Sequence, residues 1–414
     1  IIDDLWTKQI ELRKEVERKT QDSLSVFEYT DDAEDSHTTI REKDKIFSEL
    51  YKSEHMRNAG PYARLKFAMD YWCALWFWPI DKAELLPSRS EFLFDMSLIL
   101  EGTTQAVLVT DVETDKKQTK GQLSLFPTEM QQLEFKILDQ YDGMGLVDIP
   151  ALRKQEPRLD LAARIAEQNK FMHWELEFAD LFAECGGFDL IIGNPPWITM
   201  EWKIKDVISD FLPIVYIQNL DNQIIENMQI QAFSVPYEKA IIMSEYENVF
   251  GQQIFLDAIQ NYPELKGIKP DLYKAFLPKS WYLCSEKGII GLLHPEGVYD
   301  DAKGGEFRRL IFRRLREHYQ FINQKKLFPI GNTRTYSINI YSFERSPLFD
   351  AIYYLFDPRT ISDAYEIEYD QKVSFGIKNA DGNWNEYGDN SRIIHVTWES
   401  LKSFIGLLDE ENEE

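Results

Sequence analysis

The chain is poor in residues that staple or ligate. Of 414 residues three are cysteines, Cys73, Cys185 and Cys284, and six are histidines. The cysteines are odd in number and far apart, with no Cys-x-x-Cys pair and no histidine at ligand spacing. A zinc site is excluded, no metal is expected, and a reducing cytoplasm is the compartment that fits. Long apolar runs are also missing. The tightest, Tyr71 to Ile80, is about half the roughly 20 residues that a bilayer-crossing helix needs and contains Pro79, so no membrane span is expected. Internal repeats are absent, and the only biased tract is the acidic tail Asp409 to Glu414. Positive charge is scarce: 46 Lys and Arg against 70 Asp and Glu leave a formal net charge of −24. A protein that grips a polyanion is usually basic on the gripping face. The acids gather at Asp31 to Asp35 and in the tail, whereas Arg308 to Arg316 and Lys325-Lys326 are locally basic. Any main polyanion-binding surface is therefore expected to lie partly elsewhere. The chain starts at Ile1 with neither methionine nor a signal-peptide pattern, and it reads as a piece of a longer polypeptide.

What is present is enough for a sizeable core. With 44% hydrophobic residues, a chain of this length makes two or three modules. Helical spacing runs from Leu5 to Lys19, Arg41 to Tyr51 and Ala63 to Phe77, so residues 1–110 read as a helical bundle or insertion. The aromatic cluster Tyr71, Trp72, Trp76, Phe77 and Trp78 reads as bundle core. Residues 111–170 form a connector: a polar loop to Gly121, then helical patterning from Met130 to Tyr141 and Ile149 to Asn169. From Phe171 the texture changes to short apolar runs bounded by glycine and proline, Phe188 to Ile192, Gly288 to Leu293 and Thr335 to Tyr341. Helices are predicted between them at Lys274 to Leu283 and Glu306 to Tyr319. This alternation predicts an α/β fold with a parallel or mixed sheet covered on both faces, over residues 171–347. Residues 348–414 look turn-rich and strand-like, as the β-rich start of a further module that could recognise a target.

The sharpest feature is Phe188 to Ile198, FDLIIGNPPWI, an apolar strand that runs straight into Asn194-Pro195-Pro196-Trp197. Ligands of open α/β sheets bind at the carboxyl ends of strands. The two prolines fix φ near −65° and restrict the residue before each, so the turn is stiff. An exocyclic aromatic amine is a poor nucleophile, because its lone pair is delocalised into the ring. Two nearby acceptors that hold its hydrogens favour a tetrahedral nitrogen. The Asn194 side-chain carbonyl and the Pro195 backbone carbonyl can be those acceptors, and Trp197 offers a flat face on which a base could stack. An ordinary turn is the competing reading of the same residues.

Asn194 to Trp197 after an apolar strand resembles the catalytic motif of DNA amino-methyltransferases. The wider string Phe171 to Trp197, FMHWELEFADLFAECGGFDLIIGNPPW, looks like the large adenine-specific enzymes of restriction-modification and phage-defence systems, type IIG-like, here as a catalytic-half fragment. Asp271 to Asp301 resembles the family's next helix and strand, and Lys325 to Phe343 its final hairpin-forming strands. The resemblance implies a partial Rossmann-like class I methyltransferase sheet with a large N-terminal helical region. It implies methyl transfer from S-adenosylmethionine to adenine N6 in double-stranded DNA, with the base flipped out of the duplex. Asn194, Pro195, Pro196 and Trp197 would serve the adenine, Asp180 would contact the adenine moiety of S-adenosylmethionine, and restriction or defence subunits could be partners. His294, Glu296 and the arginines Arg308 to Arg316 read as structural or as a solvated helix face.

One element of that family is missing. A glycine-rich turn after the first strand should let backbone approach the cofactor. The nearest candidate, Lys136 to Leu146 with Gly143 and Gly145, reads better as a helix ended by Gly143. If the true motif lies upstream of Ile1, the helical residues are an insertion between two halves of one domain. The fragment alone would then be inactive, and its open sheet edge prone to associate. Two other classes stay open: amino-methyltransferases of protein glutamine or RNA, whose planar nitrogen poses the same problem, and a non-catalytic methyltransferase-like scaffold.

Overall fold

In the computed structural model, residues 1–20, 40–51, 58–101, 148–218, 220–269, 271–368, 378–379 and 381–408 are described. The chain divides into two units, Ile1–Asp180 and Leu181–Glu414. The segments 111–147 and 409–414, including Gly143 and Gly145, lie outside the described residues.

The first unit is helical throughout its described part. Helices span Ile2–Thr20, Ile40–Tyr51, Pro61–Ala74, Arg89–Glu101, Ile149–Gln155 and Pro157–Asn169. The single helix expected over 149–169 is two, because Glu156 precedes Pro157 and is pushed into an extended conformation (φ −112°, ψ 100°). Asp148 caps the first, accepting from the Ala151 amide at 3.2 Å. Leu5, Leu65, Tyr71, Ile99, Leu159 and Leu176 form the core. Tyr71 is fully buried, and its hydroxyl donates to Asp95 at 2.7 Å, which Arg158 Nε also reaches at 2.7 Å. The aromatic stretch is thus mainly packing, although Trp72 remains 41% exposed.

The second unit is built on one mixed six-stranded sheet: β1 (Phe188–Gly193), β2 (Cys284–Pro295), β3 (Leu315–Ile322), β4 (Thr335–Tyr341), β5 (Leu348–Leu355) and β6 (Ile394–Thr397), in the order β1-β2-β4-β3-β5-β6. β1 runs parallel to β2, and β5 to β3, while β4 is antiparallel to both its neighbours and β6 to β5. On one face Ile290, Leu292 and Tyr341 pack with Tyr273 and Leu277 of the helix Leu272–Leu283 and with Phe307 and Ile311 of the helix Gly305–Arg314. On the other, Tyr319, Phe321, Tyr336, Ile352 and Leu355 pack with Ala364 of the helix Arg359–Glu366. Each such buried side chain contributes about 1.5–3 kcal/mol relative to exposure.

Two expectations change here. The helix predicted from Glu306 to Tyr319 stops at Arg314, and Leu315–Ile322 is a strand flanked on both sides by β4 and β5. Its polar residues mimic a helical face in sequence, but Leu315, Tyr319 and Phe321 are buried only in the pleated arrangement. β3 and β4 therefore make the hairpin that the resemblance implies for Lys325 to Phe343, with its first strand lying before Lys325. In addition, residues from Leu348 onward supply β5 and β6 to the same sheet. Among the described residues β1 is an edge strand. Leu190 is 60%, Ile192 77% and Ile289 of β2 49% exposed, so this end of the second face is bare.

Candidate active site

Because β1 and β2 are parallel, their carboxyl ends share one rim, and the turn 194–197 leaves β1 directly at it, one residue past the Gly193–Leu292 pairing. Asn194 is exposed and its amide makes no hydrogen bond with any described residue. Pro195 is buried and Pro196 exposed, so the turn is wedged on one side and open on the other. Trp197 is half-buried. Its indole Nε1 donates to the Leu293 carbonyl at 3.4 Å, and its ring lies 5.4 Å from Phe328 and 5.7 Å from Tyr336. The turn thus exposes a free amide beside an aromatic group whose orientation is fixed from below.

Phe328 is held by a device the sequence did not reveal. Asn323, fully buried, accepts from the Phe328 amide at 3.1 Å and donates to the Phe328 and Ile330 carbonyls at 3.0 Å each. One asparagine so closes the 323–330 loop onto Trp197. An asparagine five residues before an aromatic is the only local signal, and it is too common to single out.

The exit of the turn is also anchored. The Leu272 amide donates to the Ile198 carbonyl at 3.0 Å, Thr199 pairs with Asp271 as an antiparallel bridge, and the Thr199 hydroxyl donates to Asp271 Oδ1 at 2.6 Å. Asp271 Oδ2 meets the Lys274 ammonium at 3.1 Å, and Asp301 meets it at 3.1 Å from the segment after β2. Burial pushes the Asp301 carboxyl up, yet the Lys303 amide, Lys274 and Arg308 outweigh this and hold it below its ordinary value.

Behind the rim lies a buried polar network across β2, β3 and β4. His294 is fully buried, and burial lowers it to about 4, so it is neutral near pH 7. A carbonyl can only accept, so the 2.8 Å contact with Pro295 O places the hydrogen on Nδ1. Nε2 then accepts from Tyr341 Oη at 2.8 Å and Asn339 Nδ2 at 3.0 Å. The Asn339 oxygen accepts from Tyr299 Oη and His318 Nδ1, each at 2.7 Å. Glu296 Oε2 accepts from Gln320 Nε2 at 2.8 Å, while Oε1 is buried without a partner among the described residues. Burial raises the Glu296 carboxyl, but His318, Ser337 and Gln320 more than offset it and keep it below its ordinary value. His294 and Glu296 stand at the rim as members of this scaffold.

Asp180 is buried in the first unit, and Arg13 Nε donates to its Oδ1 at 3.3 Å. The arginines of the 308–316 run find partners within the chain: Arg309 pairs with Glu306 at 2.9 Å on the surface, Arg313 and Arg314 with Glu344 at 2.7 and 2.8 Å, and Arg314 lies 4.7 Å over the Trp281 ring. Arg313 and Arg314 staple the helix to Glu344, while Arg309 with Glu306 stays on a solvated face. Among the described residues no group of three or more His, Cys, Asp or Glu is placed to hold a metal ion, and no helix is long and apolar enough to cross a membrane.

Residues 95–251 match the family model of the Eco57I restriction-modification methylase. The matched segment takes in β1 and the turn 194–197 and covers less than half of the chain. It supports a DNA methyltransferase of the restriction-modification type. No curated protein matches the chain.

Proposed function

We propose that the protein methylates the N6 amine of adenine in duplex DNA, with S-adenosylmethionine as donor and the base flipped into the site, as part of a restriction-modification or phage-defence enzyme. One observation carries the reading: the exposed, unengaged Asn194 amide on a proline-stiffened turn at the carboxyl rim, beside the anchored indole of Trp197. The Asn194 carbonyl oxygen and the Pro195 carbonyl receive the two amine hydrogens, which draws the nitrogen toward a tetrahedral geometry and frees its lone pair. The part of the Trp197 ring left open by Phe328 and Tyr336 stacks on the extruded base. S-adenosylmethionine supplies an electrophilic methyl group when bound.

Among the described residues no strand runs into a glycine-rich turn, so none is assigned to cradle the donor. A cofactor role for Asp180 uses the Oδ2 that Arg13 leaves free, or requires release from Arg13. The test is tritiated methyl transfer to unmodified duplex DNA by the intact protein. Asn194→Ala is expected to lower it by about 10²-fold or more, the scale of losing one transition-state hydrogen-bonding partner. Wild-type rates in that variant would sink the reading. The charge of −24 favours a second one, in which the acceptor is a protein glutamine rather than a nucleic acid; an RNA base presents the same planar nitrogen but gains nothing from the charge. Label on protein or RNA, and none on duplex DNA, selects the corresponding acceptor. No label on any acceptor leaves a non-catalytic scaffold.

A further inference from the structure

Resting on the methyl-transfer reading of the turn, we propose that Lys274 is a positioning residue for the reaction, holding the exit of the 194–197 turn and the segment after β2 in one register. Lysine is seldom buried unless paired, yet Lys274 is only 4% exposed and sits among the apolar core residues Tyr273, Ala275 and Leu277. Its ammonium lies 3.1 Å from Asp271 Oδ2 and 3.1 Å from Asp301 Oδ2, with the Lys269 carbonyl at 3.5 Å. Asp271 and Asp301 come from separate segments, one before and one after β2. Asp271 precedes the helix Leu272–Leu283, and its other oxygen takes the Thr199 hydroxyl, two residues past Trp197. Asp301 follows β2 and the short helix Gly297–Asp300.

A second observation separates this triad from a plain helix start. Asp271 occupies the N-cap position, where an aspartate normally accepts from an amide of its own helix, and it makes no such bond. Its carboxylate is turned instead to Thr199 and Lys274. Removing the ammonium leaves two carboxylates without their shared cation and frees the Asp271–Thr199 latch to drift. An ångström-scale shift of acceptors relative to a bound amine costs about 10²-fold in rate.

The experiment compares intact wild-type protein with Lys274→Met, which keeps the stem and removes the charge. It measures kcat and KM for duplex DNA, and hydrogen exchange by mass spectrometry. The expected result is a kcat lower by roughly 10²-fold with KM for DNA changed by no more than about twofold. Exchange should accelerate in peptides covering 197–201 and 271–274 and stay unchanged in β3 and β4. A wild-type kcat, or unchanged exchange at those peptides, overturns the proposal. Should Lys274→Met not fold, Thr199→Val removes one hydroxyl at the far end of the same latch and is judged by the same two readings. If the wild-type protein transfers no methyl to DNA, the preceding reading fails by itself. The exchange result then decides alone whether Lys274 sets the position of the turn.

Discussion

At the scale of single residues, the site divides into groups that wait for a ligand and groups already occupied. Asn194 belongs to the first, and the stiff turn that carries it was legible because a strand running into one asparagine and two prolines restricts its own backbone. Asn323, Lys274 and Asn339 belong to the second and were invisible, since their partners at positions 328, 301 and 294 are distant or unpatterned in sequence. His294 yields a prediction about pH. Its folded value of about 4 lies below the ordinary 6.5, so between these values the unfolded chain binds a proton that the folded chain does not. Stability is fully present above pH 6.5 and declines as pH falls toward 4, by roughly 3 kcal/mol from this group. Urea titrations across that window should show the decline. His294→Leu should be less stable at pH 7 yet flatter from pH 6.5 to 4, and an equally steep profile would discredit the assignment.

At the scale of elements, β1 and β2 were readable as apolar runs, and the helix Leu272–Leu283 by its spacing. β3 was not. Its sequence, LREHYQFI, offers charge where a central strand is expected to be apolar, and only pairing on both edges with His318 bonded to Asn339 makes it a strand. The junction into β1 is tighter than its sequence advertises. Gly187 has φ +147°, and a Cβ there would come within 2.5 Å of the Leu283 carbonyl, so neither the conformation nor the space admits a side chain. Gly187→Ala is expected to destabilise the second unit by about 1–3 kcal/mol, read as a lower urea midpoint at unchanged slope. A wild-type midpoint would show that the β1 entry relaxes freely.

At the scale of the whole molecule, the features to reconcile are a charge of −24 and a bare edge. β1 leaves one side of its backbone unpaired among the described residues, with Leu190 and Ile192 60% and 77% exposed. Such an edge templates association. The purified chain is expected to self-associate as its concentration rises, and Ile192→Lys to suppress this in sedimentation velocity without changing the circular dichroism spectrum. Association undiminished by the lysine would point to another surface. The acidic balance also bears on DNA. With Arg309, Arg313 and Arg314 paired to Glu306 and Glu344, part of the positive charge on this stretch is already neutralised within the chain.

The sequence by itself determined the α/β class of the second unit, the helical first unit and the turn that carries the proposed chemistry. Each of these follows from local periodicity or from backbone restriction by proline and glycine. Tertiary structure alone decided that β3 is a strand, that Arg313 and Arg314 are stapled to Glu344, that Trp197 is half-consumed by Phe328 and Tyr336, and that a buried lysine bridges Asp271 and Asp301. Those outcomes depend on which distant groups desolvate one another, and burial is a property of the assembled sheet rather than of any window of residues.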